Sequence, residues 1–168
     1  APAIAYGASG EHEGFPGTVS IGTAALSGLL VEYGRSACRW AGRLVFVNGH
    51  GGNVEALRAA VGRLRVEGRD AAWWSCATEG GDAHAGHTET SLLLHISPDG
   101  VRTQDWRRGN ETPLPSLMPQ LRRGGVAAVS EIGVLGDPTT ATREDGARIL
   151  AGMAGRLART CSRTAAAS

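Results

Sequence analysis

Four of the five histidines in this sequence share one setting, because each lies in a glycine-rich loop that follows a predicted strand. They are His12, His50, His84 and His87. The same loops, with the first turn of the next helix, also hold the carboxylates of Glu11, Glu13, Asp82 and Glu89. Imidazole and carboxylate groups bind zinc, iron or manganese in proteins. Because no thiolate accompanies them, the pattern favours a catalytic metal site over a structural zinc site.

His50 lies at the tightest point of the segment Asn-Gly-His-Gly-Gly-Asn, residues 48–53. The glycines alone would also fit a turn that cradles phosphate at the start of a helix. However, neither GxGxxG nor GxxxxGK[ST] occurs in the sequence. We therefore predict a functional His50 and keep a phosphate-binding module as an alternative.

The segment 82–91 places His84 and Glu89 on either side of a loop–helix boundary. Their spacing permits a shared site, but Glu89 could equally be an acid that stabilises the helix dipole. His12 lies between Glu11 and Glu13. That trio could bind a metal or simply brace its loop, and the residues alone leave both alternatives open.

The totals describe a protein of ordinary globular composition. The 168 residues fit a single domain spanning 1–168, and 17 basic residues, all arginine, balance 16 acidic ones. This balance gives no support to nucleic-acid binding. Three separated cysteines without a CxxC pair favour a reduced, cytoplasmic setting. No apolar run reaches the roughly 18 residues of a membrane span.

Strand and helix patterns alternate along the chain. The expected strands lie at 2–6, 43–48, 70–76 and 124–130, and the expected helices at 18–41, 52–68, 87–96 and the C-terminal end. Apart from Arg43 and Asn48 at its ends, the run 43–48 is continuously apolar, which predicts burial on both faces. Thr88 and Thr142 are the expected N-caps of their helices. The alternation predicts an α/β fold with a mainly parallel sheet, in which ligands bind at the carboxyl ends of strands.

Three motifs together resemble the creatininase family of metal-dependent amidohydrolases. They are YGASGEHEGFPGTVS at 6–20, VFVNGHGGN at 45–53 and DAHAGHTETSLLLH at 82–95, in the family's order and approximate spacing. The segment 136–146, GDPTTATREDG, resembles the family's C-terminal part. The resemblance covers most of residues 4–155. It implies a three-layer α/β/α sandwich. It also implies a hydrolase that uses two divalent metal ions, iron and/or zinc, with manganese as an alternative.

The resemblance also implies roles for individual residues. His50 matches a metal ligand and His84 matches the catalytic histidine. Creatininase has a glutamate ligand two positions beyond the histidine, where this chain has Gly52, so Glu89 is implied as the substitute ligand. The residues implied to contact substrate are Ser9, Glu11, His12 and His87.

The resemblance is closer to a peptidase subgroup of the family. It implies cleavage of a ribosomally made precursor peptide, which releases a modified C-terminal Val-Tyr unit, and it implies a homo-oligomer. The alternatives are a small-molecule amidohydrolase acting on creatinine or a formamidopyrimidine, and an inactive, metal-free scaffold. The family's Glu-x-His pair and bridging aspartate precede the segment that matches Tyr6, so we expect them upstream of Ala1.

Overall fold

The computed structural model describes residues 2–162 of the chain. It divides the chain into two compact units, Ala1–Cys76 and Ala77–Ser168. The single domain over 1–168 stays a prediction. Among the described residues, no helix is both long and apolar enough to cross a membrane.

The first unit contains two helices and a parallel pair of strands. In chain order these are α1 (Gly22–Ala37), β1 (Leu44–Asn48), α2 (Val54–Val66) and β2 (Ala71–Ser75). Leu44 pairs with Ala71 and Asn48 with Ser75, so both strands end at the same edge. This parallel pairing across a helix confirms the α/β pattern read from the alternation.

The core of the first unit lies where α1 and α2 pack together. Leu26 and Leu30 of α1 and Leu57 and Leu64 of α2 are all buried. Gly34 permits the close approach, because a Cβ there would lie 2.3 Å from Cδ1 of Leu64. The two helices thus meet on apolar stripes with helical spacing, as their sequences predict.

The second unit is helical in its described part. Its helices are α3 (His87–Ile96), α4 (Leu114–Gly124) and α5 (Arg143–Ser162). Helices α3 and α5 pack closely, since a Cβ at Gly146 would lie 1.9 Å from the carbonyl oxygen of Ser91. The Ser91 hydroxyl also accepts a hydrogen bond from the Thr142 amide at 3.1 Å.

Two predicted strands are wrong. Residues 2–6 form no strand and are exposed, because an apolar run becomes a strand only when a neighbour pairs with it. The segment 124–130 instead holds the end of α4 and a 3-10 turn at Val126–Ala128. The sequence did not predict α4, because Pro115 and Pro119 suggest a loop. Pro115 lies in the first turn, where its missing N–H costs nothing.

Three finer expectations met different outcomes. Strand β1 is not buried on both faces, because Val47 is 54% exposed while its neighbour Phe46 is buried. Thr88 is not the N-cap of α3, since the helix begins at His87. Thr142 does cap α5, because its hydroxyl accepts the Asp145 amide at 3.0 Å. The sequence RTAAAS at 163–168 also suggests a frayed tail, and this prediction lies outside the described residues.

Candidate functional site

A network of two asparagines fixes the turn that carries His50. Asn48, only 6% exposed at the end of β1, donates from Nδ2 to the His50 carbonyl at 2.8 Å. Its Oδ1 accepts from Asn53 Nδ2 at 3.1 Å, and Asn53 Oδ1 accepts the Ala8 amide at 2.9 Å. The network therefore ties the loop at 7–17 to the turn after β1. Sequence reasoning missed this role, although an asparagine at each end of NGHGGN was the signal.

The loop at 7–17 brings three predicted site residues to His50. Glu11 Oε1 lies 2.9 Å from His50 Nε2 and 3.6 Å from His12 Nε2. Ser9 Oγ lies 3.3 Å from the same His50 nitrogen. One ligand atom from each of Glu11, His12 and His50 lies within 4.8 Å of the others.

These donor distances fit a divalent metal ion. Two ligand atoms bound tetrahedrally to Zn²⁺ at the usual bond lengths lie about 3.4 Å apart. The separations from Glu11 Oε1 to His50 and to His12, 2.9 and 3.6 Å, bracket that value. Two imidazoles and a carboxylate also suit zinc and iron by ligand type.

A cleft of about 650 Å³ opens beside this cluster within the first unit. Residues 2–7 form one wall and strand β1 another, and Ser9 and His50 line it as well. A cleft with a mostly apolar lining and a few polar groups is the usual form of a ligand site.

His84 is held by its backbone and by a carboxylate in the second unit. It forms an antiparallel bridge with Leu135, whose amide donates to the His84 carbonyl at 2.8 Å. Glu89 Oε2 lies 3.5 Å from His84 Nδ1 and accepts the Ala85 amide at 2.6 Å. Ala85 has a φ of 52°, in the left-handed region that costs a non-glycine residue energy. The structure thus places the His84 and Glu89 side chains next to each other, as their spacing in the sequence permits.

His87 contacts two residues near the start of α5. Its Nδ1 lies 2.9 Å from Thr140 Oγ1, and its Nε2 lies 3.4 Å from Asp145 Oδ2. Beside it, hydrogen bonds from Thr139, with those from Arg108, lower the pKa of the Asp137 carboxyl. A role of His87 toward substrate stays a prediction.

Asp82 is a further residue whose part the sequence did not reveal. Its Oδ1 accepts the Thr88 amide at 3.1 Å and so caps α3 in place of the expected Thr88 hydroxyl. Its carboxylate also packs against Gly86 and Gly136, where a Cβ would lie 1.7 and 2.4 Å from Oδ2. An aspartate five residues before a helix start was the available signal.

The pairing of His50 with Glu89, which belong to different units, stays a prediction.

The fold and the site define an α/β protein with a candidate metal centre at the carboxyl end of a parallel strand. The family description "Creatinine amidohydrolase" matches residues 1–161, and the chain belongs to the creatininase family.

Two relatives are similar over most of the chain. It is 72% identical over 153 residues to the mycofactocin precursor peptide peptidase of Mycobacterium tuberculosis, covering 91% of this chain and 61% of that protein. The protein of the same name from Mycolicibacterium smegmatis is 71% identical, at 91% and 62% coverage. The chain thus spans about three fifths of the length of these relatives.

Two solved structures are similar in fold. A creatinine amidohydrolase (creatininase) is 26% identical with a TM-score of 0.73, covering 97% of this chain and 74% of that one. A mutant creatininase of the Zn-Zn type is 27% identical with a TM-score of 0.72, at 94% and 70% coverage. These likenesses confirm the predicted α/β fold class of the creatininase type.

Proposed function

We propose that the protein is a metal-dependent peptidase that hydrolyses the mycofactocin precursor peptide and releases its modified C-terminal Val-Tyr unit. The observation that carries this proposal is the cluster of Glu11, His12 and His50 in a chain 72% identical to a mycofactocin precursor peptide peptidase. We further propose that it works in the cytoplasm, because its three cysteines are widely separated in sequence and include no CxxC pair. A homo-oligomer is part of the same proposal.

The donor set of Glu11, His12 and His50 supports binding of a divalent metal. We propose iron and/or zinc, with manganese as an alternative, at two ions per complete site. His50 and Glu89 are proposed as metal ligands. A metal ion bound there would lower the pKa of a water molecule and polarise the amide carbonyl. The surrounding residues then have to orient the peptide and move protons.

His84 is the proposed proton donor to the departing nitrogen. The Leu135 bridge holds its backbone, and Glu89 Oε2 lies on the Nδ1 side of its ring. A carboxylate on that side favours the tautomer with hydrogen on Nδ1. Proton transfer through Nε2 follows from this arrangement.

The substrate-contacting residues are proposed to be Ser9, Glu11, His12 and His87. Ser9 is supported by its position on the cleft wall, 3.3 Å from His50 Nε2. Its hydroxyl can donate to a peptide carbonyl that reaches the metal cluster. His87 is supported by its partial exposure, with Thr140 and Asp145 fixing the ring.

The test is incubation of the full-length protein with the modified precursor peptide, followed by mass spectrometry. We expect loss of the Val-Tyr unit, its abolition by a chelator, and recovery on adding back Zn²⁺ or Fe²⁺. Creatinine and a formamidopyrimidine serve as competing substrates, because the similar solved structures are creatininases. Hydrolysis of either one with an intact peptide would establish the small-molecule activity instead. Full metal loading without any hydrolysis would contradict both, and absence of bound metal would favour a scaffold.

A further inference from the structure

Gly52 is a position where the structure leaves no room for a side chain. A Cβ there would lie 2.6 Å from Glu11 Oε1, 2.6 Å from His50 Nε2 and 2.2 Å from the Ala8 carbonyl oxygen. Its neighbour Gly51 differs, since a Cβ there would meet nothing within 4 Å. The volume beside His50 that a residue-52 side chain would use is therefore filled by the Glu11 carboxylate and its loop.

We infer that Glu11 is a metal ligand and that it binds a divalent metal together with His12 and His50. Its carboxylate occupies the space beside His50 that a side chain at position 52 would otherwise take. The inference rests on the proposed metal dependence, and it changes two expectations. Glu11 and His12 become metal ligands rather than substrate contacts. Glu89 is no longer needed to replace a ligand at position 52.

Hydrogen bonds on both sides of Glu11 fix the position of its backbone. The Ala8 amide donates to Asn53, and the Ser9 amide donates to Ser20 Oγ at 2.9 Å. The Thr18 hydroxyl donates to the His12 carbonyl at 3.0 Å. These bonds fix both ends of the short turn at Gly10–His12, so the carboxylate meets two imidazoles on a fixed backbone.

The geometry also distinguishes a metal site from a simple ion pair. An ion pair needs one imidazole, whereas here the rings of His12 and His50 both face Glu11, with centroids 5.7 Å apart. Two nitrogens and one oxygen within 4.8 Å of one another form a three-ligand set that leaves further coordination positions open. Such an open set is typical of catalytic rather than structural metal sites.

The decisive measurement is the Zn²⁺ affinity of the metal-free, full-length protein, by competition with a chromophoric chelator. Glu11→Gln keeps the side-chain shape but removes the charge. Because loss of a supporting group alone weakens metal binding about 10–100-fold, we expect loss of a ligand to weaken it by more than about 10-fold. The matched control is Glu13→Gln in the same loop, which should bind Zn²⁺ as the wild type does.

A second pair of variants tests the steric part. Gly52→Ala should displace the loop and weaken Zn²⁺ binding, whereas Gly51→Ala should leave it unchanged. Circular dichroism of both variants establishes that each is folded, and Glu11→Gln carries the test if Gly52→Ala does not fold.

The outcomes separate this inference from the proposed function. Equal Zn²⁺ affinity in Glu11→Gln and Glu13→Gln, or no Zn²⁺ binding by the wild type, overturns the inference. If affinity is unchanged but peptide cleavage is lost, Glu11 acts on the substrate instead. If Zn²⁺ affinity depends on Glu11 while the wild type leaves the peptide intact, the ligand assignment stands and the peptidase proposal fails.

Discussion

Glu11 Oε1 lies 2.9 Å from His50 Nε2, although one residue belongs to a loop that precedes α1 and the other to the turn after β1. The contact exists because the amide of Ala8 is bonded to Asn53, at the far end of the His50 turn. A glycine at position 52 is what lets the two segments approach so closely. The candidate metal centre is thus a property of two loops held together rather than of either motif.

His84→Ala should abolish peptide cleavage while the protein keeps its metal. Removing a general acid typically costs a factor of about 10²–10⁴ in rate. Turnover would be followed by mass spectrometry of the peptide, and metal content by elemental analysis of the same sample. Loss of bound metal in this variant would instead make His84 a ligand. His95→Ala, on the same helix as Glu89, is the matched histidine control and should retain both activity and metal.

Glu67→Gln should reduce stability at neutral pH, and its effect should fade in acid. Hydrogen bonds from Arg35, foremost, and from Arg63 and Arg69 lower the pKa of Glu67 from 4.5 to about 2. A depressed folded-state pKa means that the stabilisation is present above pH 4.5 and is lost as the pH falls toward 2. Urea unfolding of both proteins at several pH values between 7 and 3 measures the difference. A gap that stays constant down to pH 3 contradicts the assignment, and the exposed Glu79→Gln should show no gap.

Two alanine substitutions within α1 should have opposite signs. Gly28→Ala should stabilise by about 0.5–1 kcal/mol, because it meets open space and improves helix propensity. Gly34→Ala should destabilise by about 1–3 kcal/mol, since its Cβ would overlap the buried Leu64 side chain. Thermal or urea unfolding of the pair provides the measurement. Two stabilising effects would show that α1 and α2 pack less closely than the structure has them.

Thr142→Ala should lower stability by about 1 kcal/mol through loss of a helix cap. The Thr142 hydroxyl accepts the Asp145 amide, which otherwise has no helical partner in the first turn of α5. Thr160→Ala is the control near the other end of α5, where the hydroxyl only donates to the Arg156 carbonyl at an exposed site. Its effect should stay within about 0.5 kcal/mol. Equal losses in the two variants would argue against a capping role.

Much of the fold followed from local pattern. The spacing of leucines predicted α1 and α2, because a helix that buries one face repeats its apolar residues every three or four positions. Short, mainly apolar runs predicted β1 and β2. The prediction failed where local composition and pairing conflict. Residues 2–6 have strand composition but pair with no strand among the described residues. Pro115 and Pro119 suggest a loop, although Pro115 lies in the first turn of α4, which tolerates proline, and Pro119 lies inside the helix.

The candidate site, like the fold, could be predicted only in part from the sequence. By itself the sequence determined which groups were available for chemistry, namely histidines and carboxylates in loops after strands, and that Gly52 lacks a side chain. Only the tertiary structure decided which groups meet, because the Asn48–Asn53 network brings the loop of Glu11 over Gly52, and hydrogen bonds between distant segments leave no periodic trace in sequence. The tertiary structure likewise decided that the Asp82 side chain caps α3. That contact depends on how the loop before α3 folds back, rather than on helix propensity.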